Sequence, residues 1–205
     1  MKEHTIKDEV WDFRLIQYIR NMTSLSILIP SMNKRRGMLN RLIQSIGFHD
    51  EIEILTDVDN GEVTTGNKRN RLIKRAKGTY IVFIDDDDAI SCDYIPSILE
   101  AITHDPDVIT FNGWMTTDNV ARIDFRIGLG FPYTAVNYEN KIIYLRYPNH
   151  LCPIKRTIAE QVLFPNATFG EDYKWATDLK DRQLLKKEYR INKFLYHYQY
   201  KTIKP

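Results

Sequence analysis

The 205 residues carry 29 lysines and arginines against 27 aspartates and glutamates, a net charge of +2 that excludes a protein held on nucleic acid mainly by a basic surface. With 43% hydrophobic and 12% aromatic residues the chain can bury a substantial core, and its length fits one domain. Only Cys92 and Cys152 occur, which excludes a disulfide scaffold and points to a reducing, cytoplasmic setting. The opening Met1-Lys2-Glu3-His4 has no secretory character, and the longest apolar runs, Leu25 to Pro30 and Tyr80 to Ile84, fall far short of the roughly 20 residues that span a bilayer.

In chain order, Trp11, Leu15, Ile19 and Met22 recur at helical spacing and predict an amphipathic leading helix from Val10 to Met22. Leu25 to Ile29 reads as a buried strand stopped by Pro30, followed by a helix carrying Met38, Leu39, Leu42, Ile43 and Ile46. A second strand, Ile52 to Leu55, ends in polar Thr56-Asp57-Val58-Asp59, and a basic helix from about Asn67 to Lys77 stops at Gly78. The third strand, Tyr80 to Ile84, is apolar at every position after its first, as in a parallel sheet covered on both faces, and runs into four aspartates, Asp85 to Asp88. A helix with Ile95, Ile98, Leu99 and Ile102 precedes a fourth strand near Val108 to Phe111. This alternation predicts a doubly wound α/β fold in which a mostly parallel sheet is flanked by helices. Beyond Gly113 the pattern loosens. Strands are expected around Ala121 to Ile127 and Lys141 to Arg146, helices at Arg156 to Leu163 and Glu171 to Lys180, and an extended segment from Tyr189 to Tyr200.

Ligands of open α/β sheets sit beyond the carboxyl ends of the strands, so the candidate site is built from Pro30 to Arg35, Thr56 to Asp59, and Asp85 to Asp88. Four adjacent carboxylates repel one another unless a cation or hydrogen bonds compensate, and oxygen-only ligands suit Mg²⁺ or Mn²⁺ held by one or two carboxylates and substrate phosphates. A calcium loop starting at Asp57 fails, because Gly61 falls at the fifth position instead of the sixth and Lys68 occupies the place of the bidentate glutamate. The basic run Gly66 to Arg71 opens a helix where N–H groups, Lys68 and Arg69 can meet a diphosphate. The pair Glu171-Asp172 opens a later helix, and a carboxylate there can serve as a general base for an acceptor hydroxyl.

Four of these pieces, in order between Ser24 and Asp172, resemble glycosyltransferase family 2, whose GT-A-fold members use nucleotide-diphosphate sugars and invert the anomeric centre. They are Ser26 to Asn33, Gly66 to Asn70 with Ala76 to Ile81, Phe83 to Asp88 as a D-x-D-bearing strand, and Gly170-Glu171-Asp172 as an E-D motif. The resemblance implies donor contacts from Pro30, Ser31, Arg35, Asp57, Asp59, Lys68, Arg69, Asp85 and Asp86, most often to uridine and its diphosphate. It implies a metal, Mn²⁺ or Mg²⁺, at Asp85, Asp87 and Asp88, with His197 or His150 as a histidine ligand, and Asp172 as catalytic base. Val58 splits the family's usual aspartate pair, which leaves open whether Asp57 or Asp59 reads the base.

On this reading residues 1–23 form a helix packed on the domain, 24–112 the nucleotide-sugar half and 113–205 the acceptor half. The acceptor (a glycan, a lipid-linked sugar, a protein or a modified nucleic acid base) is open, and its site is small or completed by another chain, such as a second copy. A metal-dependent nucleotidyltransferase and a non-catalytic sugar-nucleotide-binding module are the alternatives; release of nucleoside diphosphate, of pyrophosphate, or of neither separates the three.

Overall fold

The first three strands follow from their burial. Leu25, Ile27, Leu28 and Ile29 of β1 (Leu25–Met32) and all of β3 (Tyr80–Phe83) are buried, as expected of strands covered on both faces. The structure, a computed structural model, describes residues 24–118 and 120–202, so the expected helix at Val10 to Met22 and the segment 1–23 lie outside the described residues. β1 pairs in parallel with β2 (Ile52–Asp59) on one side and with β3 on the other.

Contrary to the sequence expectation, Pro30 does not stop β1. The Leu28 carbonyl points to β3, where it accepts from the Ile84 N–H at 3.2 Å, and Pro30, two residues on, points the same way. The ladder to β3 ends at Leu28 and Phe83, so the proline's missing N–H falls where no neighbouring strand needs it.

Helix α1 (Arg36–Ile46) connects β1 to β2, and α2 (Thr65–Arg75) connects β2 to β3. In the order β2-β1-β3 these two crossovers run in opposite directions, so the right-handed rule puts α1 and α2 on opposite faces of the sheet. From β3 the chain passes through the two-residue β4 (Ala89–Ile90) and α3 (Tyr94–Ile102) to β5 (Val108–Thr117), away from β1. The crevice between the ends of β1 and β3 is thus the topological switch point of the sheet.

The second half adds β6 (Ala121–Ile127), β7 (Thr134–Tyr138), β8 (Lys141–Arg146), β9 (Ile154–Lys155) and β10 (Glu188–Tyr200), giving the path β2-β1-β3-β9-β5-β6-β8-β7. β9 runs antiparallel to β3, and β10 runs parallel to β5 and antiparallel to β4. The parallel strands of the first half therefore continue into a mixed sheet.

The expected helix at Arg156 to Leu163 is only α4 (Arg156–Ala159). The chain leaves the helix there because Phe164 is claimed elsewhere: its ring stacks on Trp175 at 4.6 Å, and its backbone is held by Asn70. The last helix, α5 (Glu171–Asp181), begins after Gly170, whose φ of +73° suits a residue without a side chain. No helix among the described residues is long and apolar enough to cross a membrane.

Candidate active site

A cleft of about 580 Å³ opens at the switch point, within the size range of ligand pockets. Pro30, Ser31, Met32 and Arg35 line it from the end of β1 and the turn after it, and Asp85, Asp86 and Asp87 from the turn after β3. Gly61, Val63, Lys68 and Arg69 contribute from the β2–α2 connection and α2, and Thr168 to Tyr173 from the start of α5. His150, Tyr133 and the end of β10 complete it.

The four aspartates divide into two kinds. Asp86 is buried and accepts hydrogen bonds from Ser31 Oγ at 2.5 Å and Arg35 Nη1 at 2.7 Å; burial outweighs both and raises its carboxyl above the ordinary value. Asp88, expected to face a metal, is instead enclosed beneath β10. One of its oxygens accepts from Tyr196 Oη and the other from the Gln199 N–H, each at 2.7 Å, and it does not line the cleft. Burial, with the neighbouring charge of Asp85, pushes Asp88 well above the usual carboxylate range.

Asp85 and Asp87 remain at the cleft with side chains 26% and 22% exposed. Asp87 pairs with Arg35 Nη2 at 2.7 Å, and Asp85 with Arg69 Nη2 at 3.0 Å. Burial alone would raise Asp85, but Arg69 and then His150 overcome it and hold the carboxyl well below its ordinary range. Arginine, serine and tyrosine partners thus supply much of the compensation that four adjacent carboxylates require, and one alternate pair, at i and i+2, stays available to a ligand.

Arg69, expected on the nucleotide, is committed inside the protein. Its guanidinium lies 5.4 Å from the centroids of both Phe83 and Phe164, and Nη1 pairs with Glu171 at 3.1 Å while Nη2 holds Asp85. Burial disfavours its charge, but Asp85, Glu171 and Asp172 together raise its affinity for the proton. Glu171 differs from Asp85: burial lifts its carboxyl above the ordinary value despite Arg69.

Lys68 donates to the Ser31 carbonyl at 2.6 Å and to Asp59. Asp57 and Asp59, on one side of β2 because side chains alternate, meet α2: Arg71 lies 3.8 Å from Asp57, and Asp59 takes Lys68 and the N–H groups of Gly61 and Val63. Neither acid lines the cleft, so the expectation that one reads the nucleobase is not matched by their placement. Gly61, weighed in the sequence only as a calcium-loop glycine, and Val63 line the cleft from the same loop.

Asp172 opens α5 at the cleft, its side chain 36% exposed, with His150 Nδ1 3.4 Å from Oδ2. On the other side of the imidazole, Nε2 lies 3.7 Å from Asp85. His197, expected near a metal, accepts or donates at Thr116 Oγ1 (2.9 Å), stacks on Trp114 with centroids 5.0 Å apart, and does not line the cleft. Among the described residues no group of three or more histidines, cysteines and acids has the arrangement of a metal cage. Exposed Tyr133 and Tyr173 lie edge to face at 5.2 Å beside Asp172 and also line the cleft.

The start of α2 is clamped to the loop before α5. Asn70 donates to the Phe164 carbonyl and accepts from its N–H, both at 2.9 Å, and the Gly66 N–H reaches the Ala167 carbonyl at 3.0 Å. A Cβ on Gly66 would stand 1.9 Å from the Pro165 carbonyl oxygen, so only glycine allows this approach. The clamp ties the placement of Glu171 and Asp172 to the helix that carries Lys68 and Arg69.

A family profile described as "Glycosyl transferase family 2" matches residues 58–163, a little over half the chain. A comparison with curated protein sequences gives no match. Among solved structures, the fold is similar to S. aureus TarS 1-349 in complex with UDP-GlcNAc, with a TM-score of 0.63 and 18% identity over 88% of this chain and 60% of that one. TarS 1-349 in complex with UDP gives a TM-score of 0.61 at 18% identity over 86% of this chain, and TarS itself 0.61 at 16%. The chain therefore spans 60% of the TarS fragment's length and 36% of the longer TarS chain. With a profile match that takes in the aspartate turn and His150, on a fold shared with these structures, the chain belongs to glycosyltransferase family 2.

Proposed function

We propose that the chain transfers a sugar from a nucleoside-diphosphate sugar, with uridine as the nucleoside, to an acceptor hydroxyl with inversion, using Asp172 as general base. The observation that carries this reading is that Asp172 opens on the same cleft as Asp85 and Asp87, with His150 between Asp172 and Asp85. A donor diphosphate at the aspartate turn brings the anomeric carbon toward Asp172. The UDP and UDP-GlcNAc in the TarS complexes support the uridine assignment.

Asp85 and Asp87 fit a divalent cation of the Mn²⁺ or Mg²⁺ kind, since such ions are commonly held by one or two carboxylates plus substrate phosphates. Bound there, the ion would neutralise charge on the departing diphosphate. Asp172 takes the proton of the acceptor hydroxyl, whose oxygen forms a bond to the anomeric carbon as the bond to the β-phosphate oxygen breaks, its electron pair leaving with the nucleoside diphosphate. Attack from the face opposite the diphosphate inverts the centre. Tyr133 and Tyr173 offer the acceptor an apolar surface against which the face of a sugar ring packs.

Family membership sets nucleotidyl transfer aside, and the retained acids at Asp85, Asp87 and Asp172 argue against a non-catalytic module. The test is turnover of UDP-GlcNAc, and of other UDP-sugars, with Mn²⁺. Release of UDP is expected, and Asp172→Asn should lower kcat by roughly 10² or more while donor binding persists. Full activity in that variant would refute the base assignment, and pyrophosphate release from a nucleoside triphosphate would refute the reaction type.

A further inference from the structure

The two ring nitrogens of His150 are buried and neither has a hydrogen-bond partner, although one faces Asp172 and the other Asp85. Buried polar atoms left unpaired in this way are uncommon in folded proteins and call for an explanation. Resting on the reading of Asp172 as the base, we propose that His150 is a positioning residue. Its Nδ1–H aims the Asp172 carboxylate at the acceptor, and an N–H at Nε2, the form in which both ring nitrogens donate, links the ring to the donor side of the cleft through Asp85.

Several features hold the ring where it can do this. The Leu151 N–H donates to Asn149 Oδ1 at 3.1 Å, and the Cys152 N–H to the Asn149 carbonyl at 3.0 Å, closing a turn around His150. The His150 carbonyl accepts from the Phe83 N–H at 3.1 Å, which fixes the turn to β3 immediately before the aspartates. Asp85, the second neighbour of the ring, is itself held by Arg69, which also pairs with Glu171 beside Asp172. The imidazole thus closes a ring of contacts running Asp172, His150, Asp85, Arg69 and Glu171.

The 3.4 Å separation from Asp172 is longer than a formed hydrogen bond, and catalytic contacts of this kind commonly tighten when substrate binds. A carboxylate free to rotate at the first turn of α5 would present its basic oxygen in many directions. A fixed donor on its other oxygen selects one of them. Without it, the loss should appear in kcat, because the donor sugar nucleotide is held by other residues.

The first test needs no turnover. In ¹⁵N NMR of the ligand-free protein, Asp172→Asn should shift the His150 Nδ1 resonance well beyond any change at His49 and His104, which do not line the cleft. An unmoved Nδ1 would overturn the proposal. The second uses UDP-GlcNAc with Mn²⁺. His150→Ala should lower kcat by roughly 10–100-fold with the donor KM unchanged, as a misplaced catalytic group does. His150→Asn, which keeps a donor near Nδ1, should recover most of the loss, while His150→Gln, which keeps one near Nε2, should not. Equal losses in the Asn and Ala variants, with both folded by thermal melt, would also overturn it. Full turnover by Asp172→Asn alongside a shifted Nδ1 would refute the base reading and leave the contact standing.

Discussion

Replacing Arg69 with methionine isolates the electrostatic centre of the site. The guanidinium is 2% exposed, lies between two aromatic rings and holds Asp85 at 3.0 Å and Glu171 at 3.1 Å. Methionine matches its reach and can pack between Phe83 and Phe164, so the change removes charge more than volume. Breaking a buried ion pair by deleting one partner costs about 3–5 kcal/mol, because the remaining carboxylate stays desolvated and unpaired. For a chain of this length that corresponds to a fall in Tm of roughly 6–20 °C.

The pH dependence of that fall has a definite sign. The Asp85 carboxyl is depressed in the folded protein, so the stability that it derives from Arg69 is present above the ordinary carboxylate pKa of about 3.9 and is lost as pH falls through the folded value. In Arg69→Met, both Asp85 and Glu171 lose their cation and take up protons more readily, so the variant gains stability relative to wild type on acidification. Thermal melts at pH 7.5 and 4.5 should show a large gap at the higher pH and a smaller one at the lower. A gap of less than about 2 °C at pH 7.5, or one of equal size at both, would refute the argument.

Gly66→Ala should push the Pro165–Ala167 backbone away by about 1 Å from its 1.9 Å contact, and such a misplacement upstream of Asp172 should lower kcat on UDP-GlcNAc up to roughly 10²-fold together with Tm. Asn70→Ala should destabilise the same junction by about 1–3 kcal/mol in urea unfolding, because the Phe164 N–H and carbonyl lose their partner. Asp87→Asn should weaken UDP binding measured calorimetrically in Mn²⁺ more than in its absence. Asp88→Asn should leave that Mn²⁺ dependence intact, since its carboxylate is enclosed by Tyr196 and Gln199.

The first half of the fold was legible because burial on both faces writes itself as continuous apolar runs: Leu25 to Ile29 and Tyr80 to Ile84 are strands in the structure or its immediate continuation. β7 was missed because Thr134–Tyr138 is an exposed edge segment with little apolar signal, and β9 because two residues are too few for any period. The truncation of the helix after Ala159 depends on Asn70 and Trp175, neither of them a local signal.

The site shows the same division. That the ends of β1 and β3 would converge, and that Asp172 would join them, could be read from motif order; the β2 side contributes Gly61 and Val63 in place of the expected Thr56 to Asp59. Which aspartates stay open could not, because the choice is made by Ser31 and Arg35, more than fifty residues away, and by Tyr196, 108 residues away. Arg69 read as a ligand-binding cation because basic residues at a helix start are ordinarily exposed; its acidic partner Glu171 lies far along the chain. His150 was expected only as an alternative metal ligand, since a histidine before Leu151-Cys152-Pro153 says nothing of the two carboxylates that flank it in space.

The central claim, that the crevice between β1 and β3 binds a sugar nucleotide through the aspartate turn, is tested most directly by a crystal structure of the protein soaked with UDP and Mn²⁺. The diphosphate is expected at Asp85 and Asp87, with the nucleoside beside Pro30 to Met32. Crystals in which UDP binds elsewhere, or in which that crevice stays empty at saturating UDP, would contradict it.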